Sequence, residues 1–288
     1  MKILVRLSGG LGNQLFQLNA SMFFMRDISS DYIYLDCRFL SGYETGRAFE
    51  LDFIIKHTKN IHIAYKPSGV PAWASRLRFG RLFDTSISSF AFISSSCKLK
   101  KSINTSPEWL ILDGYFQDPA LSIPSIDRQS LFGKLAHEFS YLRRDLPLYG
   151  SLPLVSIHIR RGDFVNSKAA STVFKTVSLA YYRAAVRAFP AGVGFLVFGD
   201  DLSITSKFAK EIGGINVASQ GLTLKEEFML MALCDHHIIA NSTFSWWAAY
   251  LGYRVGKRVI APRDWYVDAS RSRRNPLLLH YFELLDSI

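Results

Sequence analysis

Two adjacent arginines end a β-branched run in VSIHIRRGD (Val155–Asp163), and no other short stretch of this 288-residue chain is so well suited to holding an anion. Val155, Ile157 and Ile159 alternate with Ser156 and His158 at the period of a strand, and Gly162 permits the turn that points Arg160 and Arg161 out from its carboxyl end. A double arginine can be a solvated surface pair, but at the tip of a strand in an open α/β sheet it stands where ligands bind. A second stretch, NSTFS (Asn241–Ser245), sets four small polar side chains between an apolar strand and an apolar helix. A helix beginning there offers N–H groups, a positive dipole end and hydroxyls to an anion, whereas a plain N-cap needs only one such residue. Asp200 and Asp201 end another apolar run and admit three roles: metal ligands, an N-cap pair, or acceptors for ribose hydroxyls and base N–H groups. Metal is the weakest of these, because cations already serve the anion site and no further carboxylate or histidine stands at ligand spacing.

The opening of the chain carries a further candidate. SGGLGN (Ser8–Asn13) follows a buried strand at Ile3–Leu7 and precedes a helix read at Asn13–Met25. Strand, glycine loop and helix let backbone N–H groups approach a phosphate or a sugar. Neither the GK[ST] of a P-loop nor the dinucleotide spacing is present, so a tight turn needing positive φ accounts for the glycines equally well.

These residues need a scaffold, and the second half of the sequence supplies a regular one. Strands are predicted at Leu154–Ile159, Gly194–Phe198, Ile215–Ala218, His237–Ala240 and Arg258–Ala261. Helices are predicted at Leu179–Phe189 with Ser178 as N-cap, and at Ser203–Glu211, Lys225–Leu233 and Phe244–Leu251. This alternation implies a doubly wound parallel sheet whose strand tips converge on one crevice. The first half is irregular, with strands at Tyr32–Leu35, Ile61–Tyr65 and Trp109–Leu112, serine-rich loops such as SISSFAFISSS, and an aromatic turn, GYFQDP, after Asp113. The segment 72–83 interleaves Trp73, Leu77, Leu82 and Phe83 with Arg76, Arg78 and Arg81, as an amphipathic basic helix or an ordinary half-buried one would. LPLYGSLP (Leu146–Pro153) reads as a linker, dividing the chain into domains 1–150 and 151–288.

An apolar fraction of 49% excludes disorder of the whole chain, and 34 Lys and Arg against 24 Asp and Glu favour an anionic partner: a nucleotide, a nucleic acid or a lipid surface. Cys37, Cys97 and Cys234 are scattered, without a CxxC, so neither a disulfide framework nor a zinc site is indicated. No secretory signal can be placed before the first strand, and no uncharged apolar run approaches the roughly 20 residues of a membrane span, so a cytoplasmic protein is expected.

Taken together in order, SGGLGNQLFQ, GYFQD, HIRRGDFV, FGDDLS and IIANSTFSWWAAYLG resemble the α-1,2-fucosyltransferases of glycosyltransferase family 11, over nearly the whole chain. The resemblance implies a GT-B architecture: two Rossmann-like domains facing a cleft, the C-terminal one binding GDP-fucose and the N-terminal one facing the acceptor. It implies inverting, metal-independent transfer of fucose to the 2-hydroxyl of a galactose, with GDP-fucose as co-substrate and no cofactor. By the same resemblance Arg160 and Arg161 hold the diphosphate, Ser242, Thr243 and Ser245 contact phosphate, and Phe244 packs near the nucleoside. Asp200 or Asp201 holds ribose or guanine, and Gly12 and Asn13 close over the donor. His158 supports the arginines, touches the nucleotide or is structural; Asp163 is the acceptor base or a loop brace. FGDD stands where FSDD is common and WWAAYLG where WWGAWL is usual, departures that activity is expected to survive. The acceptor expected is a galactose-terminated glycan, lipid-linked in surface polysaccharide synthesis. Arg76, Arg78, Arg81, Arg271, Arg273 and Arg274 would then touch an anionic membrane reversibly. Another GT-B glycosyltransferase and a noncatalytic carbohydrate-binding protein are the competing readings. Nucleic acid is not expected as a partner, since no binding motif is present.

Overall fold

The computed structural model describes residues 2–27, 32–40, 46–58, 61–64, 85–87, 90–93, 108–122, 127–144, 146, 152–161 and 171–287. The chain divides into two compact units, Met1–Leu131 and Phe132–Ile288, each built on its own six-stranded sheet.

The first unit runs β1 (Lys2–Arg6), α1 (Leu11–Asp27), β2 (Ile33–Asp36), α2 (Asp52–Ile55), β3 (Ile61–Ala64), β4 (Thr85–Ile87), β5 (Phe90–Ile93), β6 (Trp109–Leu112) and α3 (Pro119–Ser122). Its sheet order is β3-β2-β1-β6-β5-β4, parallel except for the β4–β5 pair. β4 and β5 fall inside the serine-rich stretch read as loop. Strands of three and four residues are too short to show a period, and β5 owes its place to pairing with the distant β6. The order reverses between β1 and β6, and the two motifs of this half, SGGLGN and GYFQD, follow those two strands.

Helix α4 (Arg128–Glu138) spans the division, and α5 (Tyr141–Arg144) follows it. Leu131, Leu135, Phe139 and Leu142 are buried at helical spacing. Residues up to 150 were read with the first domain; Tyr141 donates to Glu226 (2.8 Å) and Arg143 to Asp235 (2.7 Å), both in the second unit.

The second unit continues β7 (Leu154–Ile159), α6 (Leu179–Arg187), β8 (Gly194–Gly199), α7 (Leu202–Ile212), β9 (Ile215–Asn216), α8 (Leu224–Leu233), β10 (His236–Ile238), α9 (Thr243–Leu251), β11 (Val259–Pro262), α10 (Ala269–Arg273) and β12 (Glu283–Leu285). All its strand pairs are parallel, in the order β12-β11-β10-β7-β8-β9, which is the doubly wound arrangement predicted from the alternation. Ser178 caps α6 by accepting the Tyr181 amide, as the sequence suggested. β7 is buried along its whole length, so its polar positions are core positions too. Ser156 Oγ meets His237 Nδ1 of the neighbouring strand at 2.8 Å, which satisfies a buried hydroxyl. No helix among the described residues is long and apolar enough to cross a membrane.

Candidate functional site

Three adjacent strands of the second sheet, β10, β7 and β8, deliver the polar motifs to one edge. The order of this sheet reverses between β7 and β10, the place where doubly wound sheets bind ligands. Arg160 and Arg161 leave the end of β7, Asp200 follows β8, and Ser242 caps α9 just beyond β10.

The β7 and β8 tips are drawn together by a glycine. Gly199 pairs with Ile159, and a Cβ at position 199 would collide with the Ile159 carbonyl oxygen and the Thr205 methyl. With that approach, Asp200 Oδ2 reaches Arg160 Nη1 at 2.8 Å and Asp200 Oδ1 accepts the Arg161 amide at 2.9 Å. Asp200 therefore braces both arginines instead of standing open for a ribose or a base. Asp201 is the N-cap of α7, accepting the amides of Ser203 (3.0 Å) and Ile204 (3.1 Å). Of the roles open to this pair, capping is the one that Asp201 fills here. Both arginines keep part of their surface exposed.

α9 begins at Thr243, with the Ser242 hydroxyl accepting the Phe244 amide at 3.3 Å. The helix is anchored by Trp246, which is fully buried and donates to the Leu277 carbonyl (2.7 Å), and by Gly252, where a Cβ would run into the Ala232 carbonyl of α8. Asn241 stitches two loops by donating to the carbonyls of Lys175 and Trp265. Ser242 and Thr243 are half-buried. Ser245, read as a phosphate contact, is instead fully buried, and its hydroxyl returns to the Ser242 carbonyl (3.3 Å). One helical turn inside the cap, it faces the core.

His158 and Phe244 meet at 5.6 Å between ring centroids, linking β7 to α9, and Phe228 packs edge-on against Phe244 at 5.4 Å. His158 is 5% exposed. Burial, with the Arg160 charge adding to it, pulls its imidazole down to about 3, so the ring is neutral near pH 7 and is not a third cation. Asp163 lies outside the described residues, as do Gly162 and the basic segment 72–83 with Arg76, Arg78 and Arg81.

In the first unit, α1 begins at Leu11, two residues before its predicted start, so Gly12 and Asn13 lie in its first turn. Gly9 takes the left-handed turn, with φ at 77°, which a side chain would strain. Two fully buried glutamines hold this loop. Gln14 donates to the Gly9 and Ala48 carbonyls, while Gln17 donates to Ser8 Oγ and the Gly114 carbonyl. Gln117 of GYFQD donates to Asn13 Oδ1 at 2.9 Å, so the two motifs form one polar surface at the carboxyl ends of β1 and β6.

Sequence reasoning missed two groups. Glu50, whose amide donates to Gln14 Oε1, is a half-buried carboxyl that burial raises above the usual range. Lys175 pairs with Asp264 (2.9 Å), just past the carboxyl end of β11. Isolated in sequence from any motif, neither gave a signal. No cluster of three or more His, Cys, Asp or Glu suited to a metal ion lies among the described residues.

The family model of glycosyl transferase family 11 matches residues 90–277. The chain is 30% identical to the O-antigen biosynthesis glycosyltransferase WbnK of Escherichia coli, over 93% of this chain and 96% of that protein. It is 29% identical to an alpha-1,2-colitosyltransferase of Escherichia coli, over 92% of each. Among solved structures, a glycosyl transferase family 9 protein from Veillonella parvula superposes with a TM-score of 0.53 at 11% identity, covering 100% of this chain and 87% of that one. That likeness is one of fold, and with the two sheets, parallel but for the β4–β5 pair, it gives a GT-B-like α/β architecture. On the motif geometry and on these similarities, the chain belongs to glycosyltransferase family 11, whose members move a sugar from a nucleotide-sugar donor to a glycan acceptor.

Proposed function

We propose that the chain transfers L-fucose from GDP-β-L-fucose to the 2-hydroxyl of a galactose residue, with inversion and without a metal. The observation that carries this reading is the convergence of Arg160, Arg161 and the amino terminus of α9 on adjacent strand tips at the sheet's reversal point. In the transfer, the acceptor oxygen forms a bond to the anomeric carbon as the bond from that carbon to the β-phosphate oxygen breaks. GDP leaves with the electron pair, and the acceptor proton is lost. Negative charge builds on the diphosphate, so fixed cations and helix N–H groups lower the barrier more than they stabilise the bound substrate. Arginine's planar fork suits two phosphate oxygens at once, and Asp200 fixes where that fork points. Ser242 and Thr243 stand at the helix terminus where phosphate would be received; His158 and Phe244 form the wall beside it.

Gly12 and Asn13 are assigned to the donor by the family likeness, and the bond from Gln117 to Asn13 Oδ1 supports a polar surface there that suits a sugar. The name of one relative, an O-antigen biosynthesis glycosyltransferase, supports O-antigen synthesis as the setting of the product. A lipid-linked acceptor at the cytoplasmic face of the membrane fits the chain's excess of basic residues, including the exposed Arg271, Arg273 and Arg274 of the α10 region.

The similarity to a colitosyltransferase makes the donor the point to test. Colitose is fucose without its 3-hydroxyl, and a site that hydrogen-bonds that hydroxyl discriminates strongly against its loss. Purified protein offered GDP-fucose, GDP-colitose and other nucleotide sugars, with galactose-terminated acceptors of several linkages, should prefer GDP-fucose. The product should carry an α linkage to the galactose 2-oxygen by NMR. Preferred turnover of a different donor, or a product linked elsewhere, would overturn the proposal.

A further inference from the structure

The second unit carries another concentration of cations at the opposite edge of its sheet. A cavity of about 430 Å³ opens at the amino ends of β7, β10 and β11, lined among others by Arg143, Asp235, His236, Arg254, Val255 and Lys257. β7 has six residues at about 3.3 Å each, so this cavity lies about 20 Å from the arginines at the other end of the strand.

Among the described side chains that line the cavity, the hydrogen-bonding capacity left open is mostly donor. Asp235 already accepts from Arg143 Nη2 (2.7 Å), Arg254 Nη2 (2.7 Å) and the Leu154 amide (2.9 Å). Burial acts to raise its carboxyl, but these partners hold it down at about 2, so it stays charged with both oxygens engaged. Arg254 spends one of its five N–H groups in that bond. Lys257 Nζ donates to the carbonyls of Ala232 and Cys234 and keeps a third hydrogen. His236 Nδ1 accepts the Arg258 amide at 3.0 Å, which leaves Nε2 carrying the ring's proton. Arg143, Arg254 and Lys257, whose ammonium burial pulls down to about 8 and so leaves mostly charged near pH 7, thus stand around one occupied carboxylate, and the donors left open suit an anion.

We propose that this cavity is a second anion site, separate from the sugar-transfer site, that takes a phosphate group through Arg254, Lys257 and His236. Its position on the molecule indicates where such a group would come from. Val255, at the tip of the turn beside the cavity, is 98% exposed, with Arg254 before it and Gly256 (φ 89°) and Lys257 after it. A bare valine beside the exposed Arg254 is what a loop lying against lipid presents, so the headgroup of an anionic phospholipid is one source and free phosphate the other.

The experiment uses the full chain in an Arg161→Ala background, which weakens the phosphate response of the transfer site, so that the cavity variants are compared against that background. Binding is read by thermal shift with inorganic phosphate. It is read also by co-sedimentation at low salt with vesicles of phosphatidylcholine, with and without phosphatidylglycerol. Arg254→Ser should weaken the response by about tenfold. Val255→Asp, which sets a carboxylate at the mouth and disturbs no packing, should do the same even if Arg254→Ser proves unstable. Vesicle binding without a phosphate response, lost in the variants, identifies the headgroup as the ligand; a phosphate response alone identifies a soluble one. Absence of both responses in the background protein, or responses that Val255→Asp leaves unchanged, would overturn the site.

Discussion

Asp200 holds two arginines at once: its Oδ2 is 2.8 Å from Arg160 Nη1 and its Oδ1 accepts the Arg161 backbone amide at 2.9 Å. The carboxylate directly follows β8 and the arginines directly follow β7, so this contact sets the geometry of the strand tip from the neighbouring strand. Both side chains of the ion pair are about a quarter exposed, and the pair is worth more for aim than for stability. Asp200→Asn should therefore leave the melting temperature nearly unchanged while lowering kcat/KM for GDP-fucose about tenfold, a loss of about 1.4 kcal/mol in the transition state. Wild-type kinetics in a folded Asp200→Asn protein would show that the arginines find their positions without it.

Removing metal should not matter. The arginines and the α9 terminus stand where a divalent ion would otherwise neutralise the diphosphate, and both carboxylates that could have bound one are engaged, Asp200 with arginines and Asp201 as a cap. Transfer after EDTA treatment should match the untreated rate. A strict requirement for manganese or magnesium, restored on adding the ion back, would mean that Asp200 and Asp201 rearrange to become ligands.

Much of the second unit was readable because its signals are local. Ser178, Ser242 and the apolar runs between them announce caps, helices and strands within a few residues, and alternation then dictates a parallel sheet. The partners inside the site were not readable. Arg160 and Asp200 are forty positions apart in the sequence, and only the register of Ile159 with Gly199 brings them together. Ser245 looked like an open hydroxyl because one-dimensional spacing does not say which side of a helix start faces the core. β4 and β5 escaped for the reason that affects all short edge strands: their pairing is fixed by distant partners and their own sequence is too brief to show a period.

Gly199 marks where this chain departs from the FSDD common among the proteins it resembles, and the structure turns that departure into a prediction. Gly199→Ser should cost about 1 to 3 kcal/mol of stability, the usual range for overpacking, because its Cβ would meet the Ile159 carbonyl and the Thr205 methyl. Transfer should fall with it, since parting the β7 and β8 tips pulls Asp200 from Arg160. Chemical denaturation and steady-state rates measure the two effects. Unchanged stability together with unchanged rate would mean that the tips separate freely and that their close approach is not what aims the arginines.

Acid should unfold this protein earlier than its carboxylates alone would. His237 is fully buried against Ser156, and burial, with Lys257 and His236 adding to it, holds its imidazole well below the ordinary 6.5; His158 is pulled down to about 3 in the same way. Above pH 6.5 both rings are neutral whether the chain is folded or not, so they give stability no slope. Below 6.5 the unfolded chain takes up protons that the native state refuses. Stability should then drop by up to about 1.4 kcal/mol per pH unit for each ring, until the folded pKa is reached. His237→Gln should flatten the fall in melting temperature between pH 6.5 and 5, whatever its effect on stability at pH 8. An unaltered slope in that variant would mean that His237 reaches water in the native state.

The two arginines are the most direct test of the site. Arg160→Ala and Arg161→Ala, each checked for folding by thermal melt, should lower transfer about a hundredfold to a thousandfold, since losing one preorganised donor to a developing anion costs about 2.7 to 4 kcal/mol. Lysine at either position should restore little, because an ammonium supplies the charge without the planar two-pronged contact. The two losses should not multiply: Asp200 touches both residues, and releasing Arg160 frees the carboxylate that positions Arg161. GDP affinity, followed in parallel by calorimetry, should fall less than the rate does if these groups bind the transition state better than the ground state. If both alanine variants fold and keep more than about a tenth of the wild-type rate, far short of the loss such a donor carries, the diphosphate lies elsewhere and the edge formed by β10, β7 and β8 is not the donor site.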